Sequence, residues 1–192
     1  MAEMTVKLRR IAWGITGAGD QIKETLDVMK ELKEAYKGRV EIGVYLSKAG
    51  EQVLRFYRLR DELRDSFEQV QVEMDANTPF ITGRFQTGRF DFLLLTPATS
   101  NTVAKLAHGI SDTMLTNGAI QALKAYVPVY VMPVDFKEGT VVTVLPNGKE
   151  LELRVRKEDA ENVRKISDMD GVTVFEKPEE IRRIFDAVFG AP

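Results

Sequence analysis

Three short segments carry the residue types that bind an anion. They are Gly14-Ile15-Thr16-Gly17-Ala18-Gly19-Asp20, Leu46-Ser47-Lys48-Ala49-Gly50 and Thr96-Pro97-Ala98-Thr99-Ser100-Asn101-Thr102. Small residues let main-chain N–H groups approach an oxyanion, and a helix that follows directs its positive end at it. The hydroxyls of Ser47, Thr99, Ser100 and Thr102 add donors. The chemistry this predicts is the holding of a phosphate-bearing ligand. The first segment is weak alone, because Ile22 stands where a dinucleotide fingerprint has its third glycine. It also lacks the lysine of a phosphate-binding P-loop, which argues against nucleotide triphosphate hydrolysis. By itself it reads as a tight strand-to-helix turn. An asparagine such as Asn101 after a strand is commonly a cap or turn residue. Inside the full motif its ligand-binding reading takes precedence.

The elements that must position these segments follow from hydrophobic pattern. Ile11–Thr16, Val40–Leu46, Phe92–Leu95 and Val127–Met132 are apolar runs, as strands buried on both faces require. Asp20–Tyr36 repeats apolar residues on one helical face, with Gly38 closing it. Glu51–Phe67, Ser100–His108 and Asp112–Tyr126 also read as helices. Strand and helix alternate, which predicts an α/β fold, a three-layer Rossmann- or flavodoxin-like parallel sheet. Ligands in such sheets sit beyond the carboxyl ends of the strands, where the three segments fall. Val141–Leu145 and Glu150–Val155 flank Pro146-Asn147-Gly148-Lys149, a strong hairpin signal. Helix, short strand and helix then follow over Glu158–Met169, Val172–Phe175 and Pro178–Phe189. The expected organisation is a ligand-binding domain over 1–136 and a C-terminal extension of the same domain over 137–192, an arm suited to assembly.

Composition narrows the function. The chain has 192 residues, 44% hydrophobic and 29% charged, ordinary for one globular domain. A net charge of −2 carries no electrostatic footprint for nucleic acid. There is no cysteine, so thiol nucleophiles, disulfides and thiolate-bound iron–sulfur clusters are excluded. The single His108 excludes a multi-histidine metal site and reads as a solvent- or interface-facing helix residue. No apolar run reaches the roughly 20 residues of a membrane span, and the N-terminus does not read as a signal peptide, so a cytoplasmic location is expected. Trp13 and Met132 read as core or pocket wall.

Pro97-Ala98-Thr99-Ser100-Asn101-Thr102, continued through Ala104-Lys105, Gly109-Ile110-Ser111-Asp112 and Leu115-Thr116, resembles the flavoprotein family of homo-oligomeric flavin-containing cysteine decarboxylases. That family includes phosphopantothenoylcysteine decarboxylase and the flavin prenyltransferases. Ser100 and Ser111 stand where its pattern has alanine. Gly14-Ile15-Thr16-Gly17 and Ser47-Lys48-Ala49 match it in order, so the resemblance covers residues 11 to 135. It implies non-covalently bound FMN and a homo-oligomer built on trimers, with the cofactor near a subunit interface. Gly17, Ala18, Gly19 and Ser47 would line the phosphate side. Thr99, Ser100, Asn101 and Thr102 would hold the phosphate and flavin edge. Thr16, Thr96, Pro97 and Ala98 complete the expected cofactor-binding set.

Two departures shift the expected reaction. Gly83 occupies the place of the decarboxylase histidine, and Met132-Pro133-Val134-Asp135 replaces Pro-Ala-Met-Asn. The arginine and glutamate of the prenyltransferases are also absent there. The whole chain, including Leu153–Asn162 and Asp170-Gly171-Val172, is similar to the archaeal flavoproteins and to dihydromethanopterin reductases. The resemblance implies electron transfer, with a ferredoxin-like donor and an unidentified acceptor. Decarboxylation, prenyl transfer, a dihydromethanopterin reductase-like reaction and a non-enzymatic FMN carrier are the alternatives. Thr82-Gly83-Arg84-Phe85 recurs as Thr87-Gly88-Arg89-Phe90. Its simplest reading is a glycine-broken loop with two exposed arginines. A cationic lip over the flavin edge, docking an acidic partner, is the functional alternative.

Overall fold

The computed structural model describes residues 8–192; the N-terminal segment read above for a signal peptide lies mostly outside them. Six strands form one parallel sheet: β1 (Arg9–Ile15), β2 (Val40–Leu46), β3 (Val70–Val72), β4 (Phe92–Ala98), β5 (Val129–Pro133) and, after a separate hairpin, β8 (Val172–Val174). Their order is β3-β2-β1-β4-β5-β8. The hairpin pairs β6 (Gly139–Val144) with β7 (Glu150–Val155) in antiparallel register. The helices are α1 (Ile22–Ala35), α2 (Lys48–Phe56), α3 (Arg60–Ser66), α4 (Ile81–Gln86), α5 (Ser100–Ala107), α6 (Met114–Lys124), α7 (Lys157–Ser167) and α8 (Glu180–Phe189).

The apolar strands sort their side chains to two faces by simple alternation. Ile11, Trp13, Ile15, Val44 and Leu94 pack under α1, α3 and α8, with Leu26, Met29, Leu63 and Phe185 buried against them. Ala12, Tyr45, Leu93, Leu95 and Val131 pack under α4, α5, α6 and α7. The C-terminal residues are integral to this core. Strand β8 extends the sheet beside β5. Tyr36, which ends α1, donates from Oη to Asp186 at 2.6 Å, which fastens α8. Burial, with that carboxylate beside it, pushes the Tyr36 hydroxyl up to about 12.

The expected alternation of strand and helix holds, with three local differences. Glu51–Phe67 is broken at Tyr57–Leu59 into α2 and α3, where Arg58 adopts φ 59°. Strand β3 had no clear apolar signal, being three half-buried residues at the sheet edge. The first copy of the Thr-Gly-Arg-Phe repeat lies in a short helix, α4, because Ile81 and Phe85 are both buried against the sheet, with Arg84 half-buried; the second copy, Thr87–Phe90, is the expected glycine-broken loop, with Arg89 exposed.

Strand order reverses direction between β1 and β4. The segment leaving β1 runs to α1 on one face and the segment leaving β4 runs to α5 on the other. This is the topological switch point at which open α/β sheets bind ligands.

Candidate functional site

Thr16 ties the two segments of the switch point together. Its Oγ1 donates to the Pro97 carbonyl at 2.9 Å and accepts the Thr99 N–H at 2.9 Å, with the side chain buried. Thr99 caps α5: its Oγ1 accepts the Thr102 N–H at 3.2 Å and lies 3.1 Å from the Thr102 hydroxyl. Asn101 therefore does not act as the cap. Thr96 is fully buried; its carbonyl accepts Trp13 Nε1–H at 2.8 Å, and its hydroxyl faces Met132 Sδ at 3.5 Å. Ser47 caps α2 by accepting the Gly50 N–H at 2.9 Å.

These bonds leave a defined set of donors free. Among the described residues, the main-chain N–H groups of Gly17, Ala18, Gly19, Ser100 and Asn101 have no hydrogen-bond acceptor. Ser100 and Asn101 form the first turn of α5, where the helix dipole is positive. The glycines have a packing reason as well. A Cβ on Gly17 would lie 2.6 Å from Ala49 Cβ, and one on Gly19 would lie 2.5 Å from the Tyr57 ring. Helix α2 and Tyr57 thus press against the first segment.

A cleft of about 270 Å³ opens above this floor. Gly17, Ala18, Gly19, Thr99 and Ser100 line it, together with Asp20, Tyr57, Val134 and Asp135. The hairpin closes one side with Val141, Thr143, Leu145, Leu151 and Leu153, all on one face of its ribbon. The other expected residues, Thr16, Ser47, Thr96, Pro97, Ala98, Asn101 and Thr102, do not line it; most of them build its supports. The hairpin wall and Asp20 escaped sequence reasoning. Period-two apolar residues in β6 and β7 with little core to pack against were the available signal.

No lysine or arginine lines the cleft, and two carboxylates do. Burial pushes the Asp20 carboxyl above its ordinary range; a hydrogen bond from Gln21 opposes this, and the charges of Glu24 and Asp135 add to it. Arg84 and Arg89 line a different cleft, so within one chain they form no lip over this one. The described residues hold no cluster of metal-ligating side chains and no helix long and apolar enough to cross a membrane. His108 is exposed at the C-terminal end of α5, 3.5 Å from Lys165 Nζ.

Comparison with known proteins adds three findings. A family model described as Flavoprotein matches residues 2–191. An uncharacterised protein of Methanocaldococcus jannaschii is 47% identical over 175 residues, 91% of this chain and 93% of that protein. From the same organism, a dihydromethanopterin reductase (acceptor) is 33% identical over 237 aligned positions, 92% of this chain and 96% of the enzyme. Among solved structures, Burkholderia xenovorans DmrB in complex with FMN, described as a cubic protein cage for redox transfer, superposes with a TM-score of 0.78. It is 33% identical, covering 93% of this chain and 94% of that one.

Proposed function

The chain belongs to the flavoprotein family, and from that premise we propose that it is an FMN-dependent redox protein with its cofactor in the carboxyl-edge cleft. The carrying observation is the convergence of unsatisfied amides from Gly17–Gly19 and from the first turn of α5 at the switch point. The residues fit the group. The Ser100 amide and hydroxyl would hold a phosphate with neutral donors and the α5 dipole, with the free amide of Asn101 next along the same helix turn. Tyr57, Val141, Leu151 and Leu153 offer an apolar wall to a flat ring system. Thr16 and Thr99 fix the spacing of the two segments. FMN, when bound, supplies one- or two-electron redox chemistry. Asp20, half-buried in the same cleft, holds a proton to higher pH than an ordinary aspartate.

Electrons arrive from a separate protein in this reading, a ferredoxin-like donor, because a chain without cysteine holds no thiolate-bound cluster. The aligned dihydromethanopterin reductase runs over 237 positions against 192 residues here, so it contains inserted residues that this chain lacks. The acceptor is unidentified, and a dihydropterin is the second reading, favoured by that enzyme's identity across 92% of this chain. Decarboxylation is disfavoured by Gly83 and by Val134-Asp135 at the places of the family's catalytic groups. The working form is a homo-oligomer, built on trimers. An open cleft of about 270 Å³ falls just short of the usual ligand-pocket range, about 300–1,000 Å³, which a neighbouring copy would extend.

The test begins with the visible spectrum of the purified protein. A flavin spectrum, bleached by reduced ferredoxin under anaerobic conditions, is the expected result, and its restoration by a dihydropterin would support the second reading. A coloured protein that ferredoxin leaves oxidised would refute the donor alone. A colourless protein that refuses added FMN would refute the cofactor and everything built on it.

A further inference from the structure

We propose that a second cleft, at the amino-terminal edge of the sheet, binds a phosphate group through Arg84 and Arg89, with the hydroxyl of Tyr45 behind Arg84 as a further donor. The cleft has a volume of about 280 Å³ and is lined by Arg10, Glu41, Gly43, Gln69, Arg84, Arg89 and Phe90. Arg10 and Glu41 are the second residues of β1 and β2, and Gln69 immediately precedes β3. In a parallel sheet this places the cleft at the end opposite the cofactor cleft, and the two share no lining residue.

The Thr-Gly-Arg-Phe repeat builds it. Phe85 and Phe90 are buried, with ring centroids 5.1 Å apart, and Phe90 also meets Tyr45 edge-on at 6.0 Å. With the two phenylalanines anchored in the core, the preceding arginine of each copy reaches the same cleft. The floor is left open by the sheet itself. Strand β3 pairs only with Val44–Leu46 of β2, so β2 has no neighbour on that side from Val40 to Gly43.

Tyr45 is the second, independent sign of a ligand. Its side chain is 1% exposed, and its Oη accepts from Arg84 Nη1 at 2.8 Å. The oxygen lies beside Gly43, where a Cβ would come within 3.5 Å of it. Because the oxygen is already an acceptor for Arg84, its own O–H must donate elsewhere, and no acceptor stands opposite it among the described residues. A buried hydroxyl donor without an acceptor is costly. An oxyanion bound by Arg84 supplies one.

The charges of the cleft favour an anion with several oxygens. Glu41 accepts from Arg10 Nε at 2.8 Å and from the Gln69 amide, so Arg10 is largely neutralised. Arg89 makes no ion pair among the described residues, and Arg84 contacts only the tyrosine oxygen. Two guanidinium groups and one hydroxyl present more donors than the two oxygens of a carboxylate use well, and suit a phosphate or phosphate monoester.

The experiment uses FMN-loaded protein, so that the cofactor's own phosphate fills the α5 site. Calorimetric titration at constant ionic strength is run with inorganic phosphate, with glycerol 2-phosphate and with malonate. Saturable binding of one phosphate per chain is expected, with malonate weaker. Arg84→Ala combined with Arg89→Ala should weaken it about tenfold or more, and Tyr45→Phe by about threefold or more, the flavin spectrum being unchanged. Equal affinity for glycerol 2-phosphate assigns the site to phosphate monoesters; loss of affinity with the ester assigns it to the free ion. No saturable heat, or affinity indifferent to all three substitutions, overturns the proposal. So does a change of assembly size in the arginine variant without phosphate binding, which makes the cleft an interface between copies. Tyr45→Phe removes one oxygen, and it keeps the test decisive if the double variant fails to fold.

Discussion

At the scale of single residues, the supports of the cofactor cleft matter as much as its lining. Thr16→Val removes a buried donor to Pro97 and the acceptor for Thr99 together. We expect a loss of about 1–3 kcal/mol in denaturant unfolding, with weaker flavin retention because the two binding segments are no longer held in register. An unfolding midpoint equal to that of the wild type would contradict that role. Gly17→Ala should lose about 1–3 kcal/mol through overpacking, because its Cβ would meet Ala49 at 2.6 Å. Asp20 gives a pH signature. Its carboxyl pKa is raised in the folded state, chiefly by burial. The folded chain therefore binds more protons than the unfolded one between the ordinary aspartate pKa and the raised one, and stability falls as pH rises through that window. Asp20→Asn should abolish this fall and be the more stable form at neutral pH, as read from denaturation midpoints across the acid range. The segment Pro97–Thr102 was legible as a strand end followed by a helix start, because the apolar run stops there and Thr99 supplies the cap of α5. What local reading missed was allocation. Ser47, Thr96 and Thr99 look like ligand groups in a string of letters, yet their side chains mainly hold helices and strands in place, and only tertiary neighbours reveal which hydroxyls remain free.

At the scale of elements, the apolar strands β1, β2, β4 and β5 and the Asn-Gly hairpin were legible because burial on both faces and tight turns leave strong local patterns. The break between α2 and α3 was not. It occurs without proline or glycine, at Arg58 in the left-handed region, and side-chain bonds span it. Glu51 is buried, and its Oε1 accepts from Arg55 Nε at 3.0 Å and from Arg60 Nε at 2.6 Å, which clasps α2 to the start of α3. Burial would raise the Glu51 pKa, but these hydrogen bonds outweigh it and lower it. Its contribution to stability is therefore present above the ordinary glutamate pKa and lost as pH falls through the lowered one. Glu51→Gln should lower the chemical-denaturation midpoint at neutral pH without changing the m-value, and the difference from wild type should shrink in acid. The hairpin offers the complementary case. Leu151 and Leu153 are 37% and 47% exposed, so Leu151→Ser with Leu153→Ser should change stability by only about 0.5 kcal/mol or less. The same pair should release flavin more readily, measured by fluorescence of the freed cofactor. Retained flavin in this variant would remove the hairpin from the site.

At the scale of the whole molecule, Val142 and Val144 stand 54% exposed on the face of the hairpin turned away from the cleft. They alternate on that face with the cross-strand partners Glu152 and Glu150, so the proposed assembly would meet a mixed apolar and acidic ribbon there. Light scattering should give a mass several-fold above the 21.6 kDa chain, and Val142→Lys with Val144→Lys should reduce it. A monomer in both cases would refute the assembly. Sheet order was the least legible property, since no local pattern says that β4 lies beside β1 or that β8 rejoins the sheet beside β5. That last pairing has a consequence for how this scaffold diversifies. Strands β5 and β8 form a parallel pair whose crossover helix is α7, and the hairpin is spliced into that crossover ahead of the helix. The wall of the cleft is thus carried by a two-stranded ribbon that pairs with no strand of the main sheet. Transplanting the matching segment of a dihydromethanopterin reductase between Pro133 and Lys157 should therefore change acceptor preference and flavin retention together, because Val141, Leu151 and Leu153 line the cleft, while the amides of Gly17–Gly19 and Ser100 stay in place.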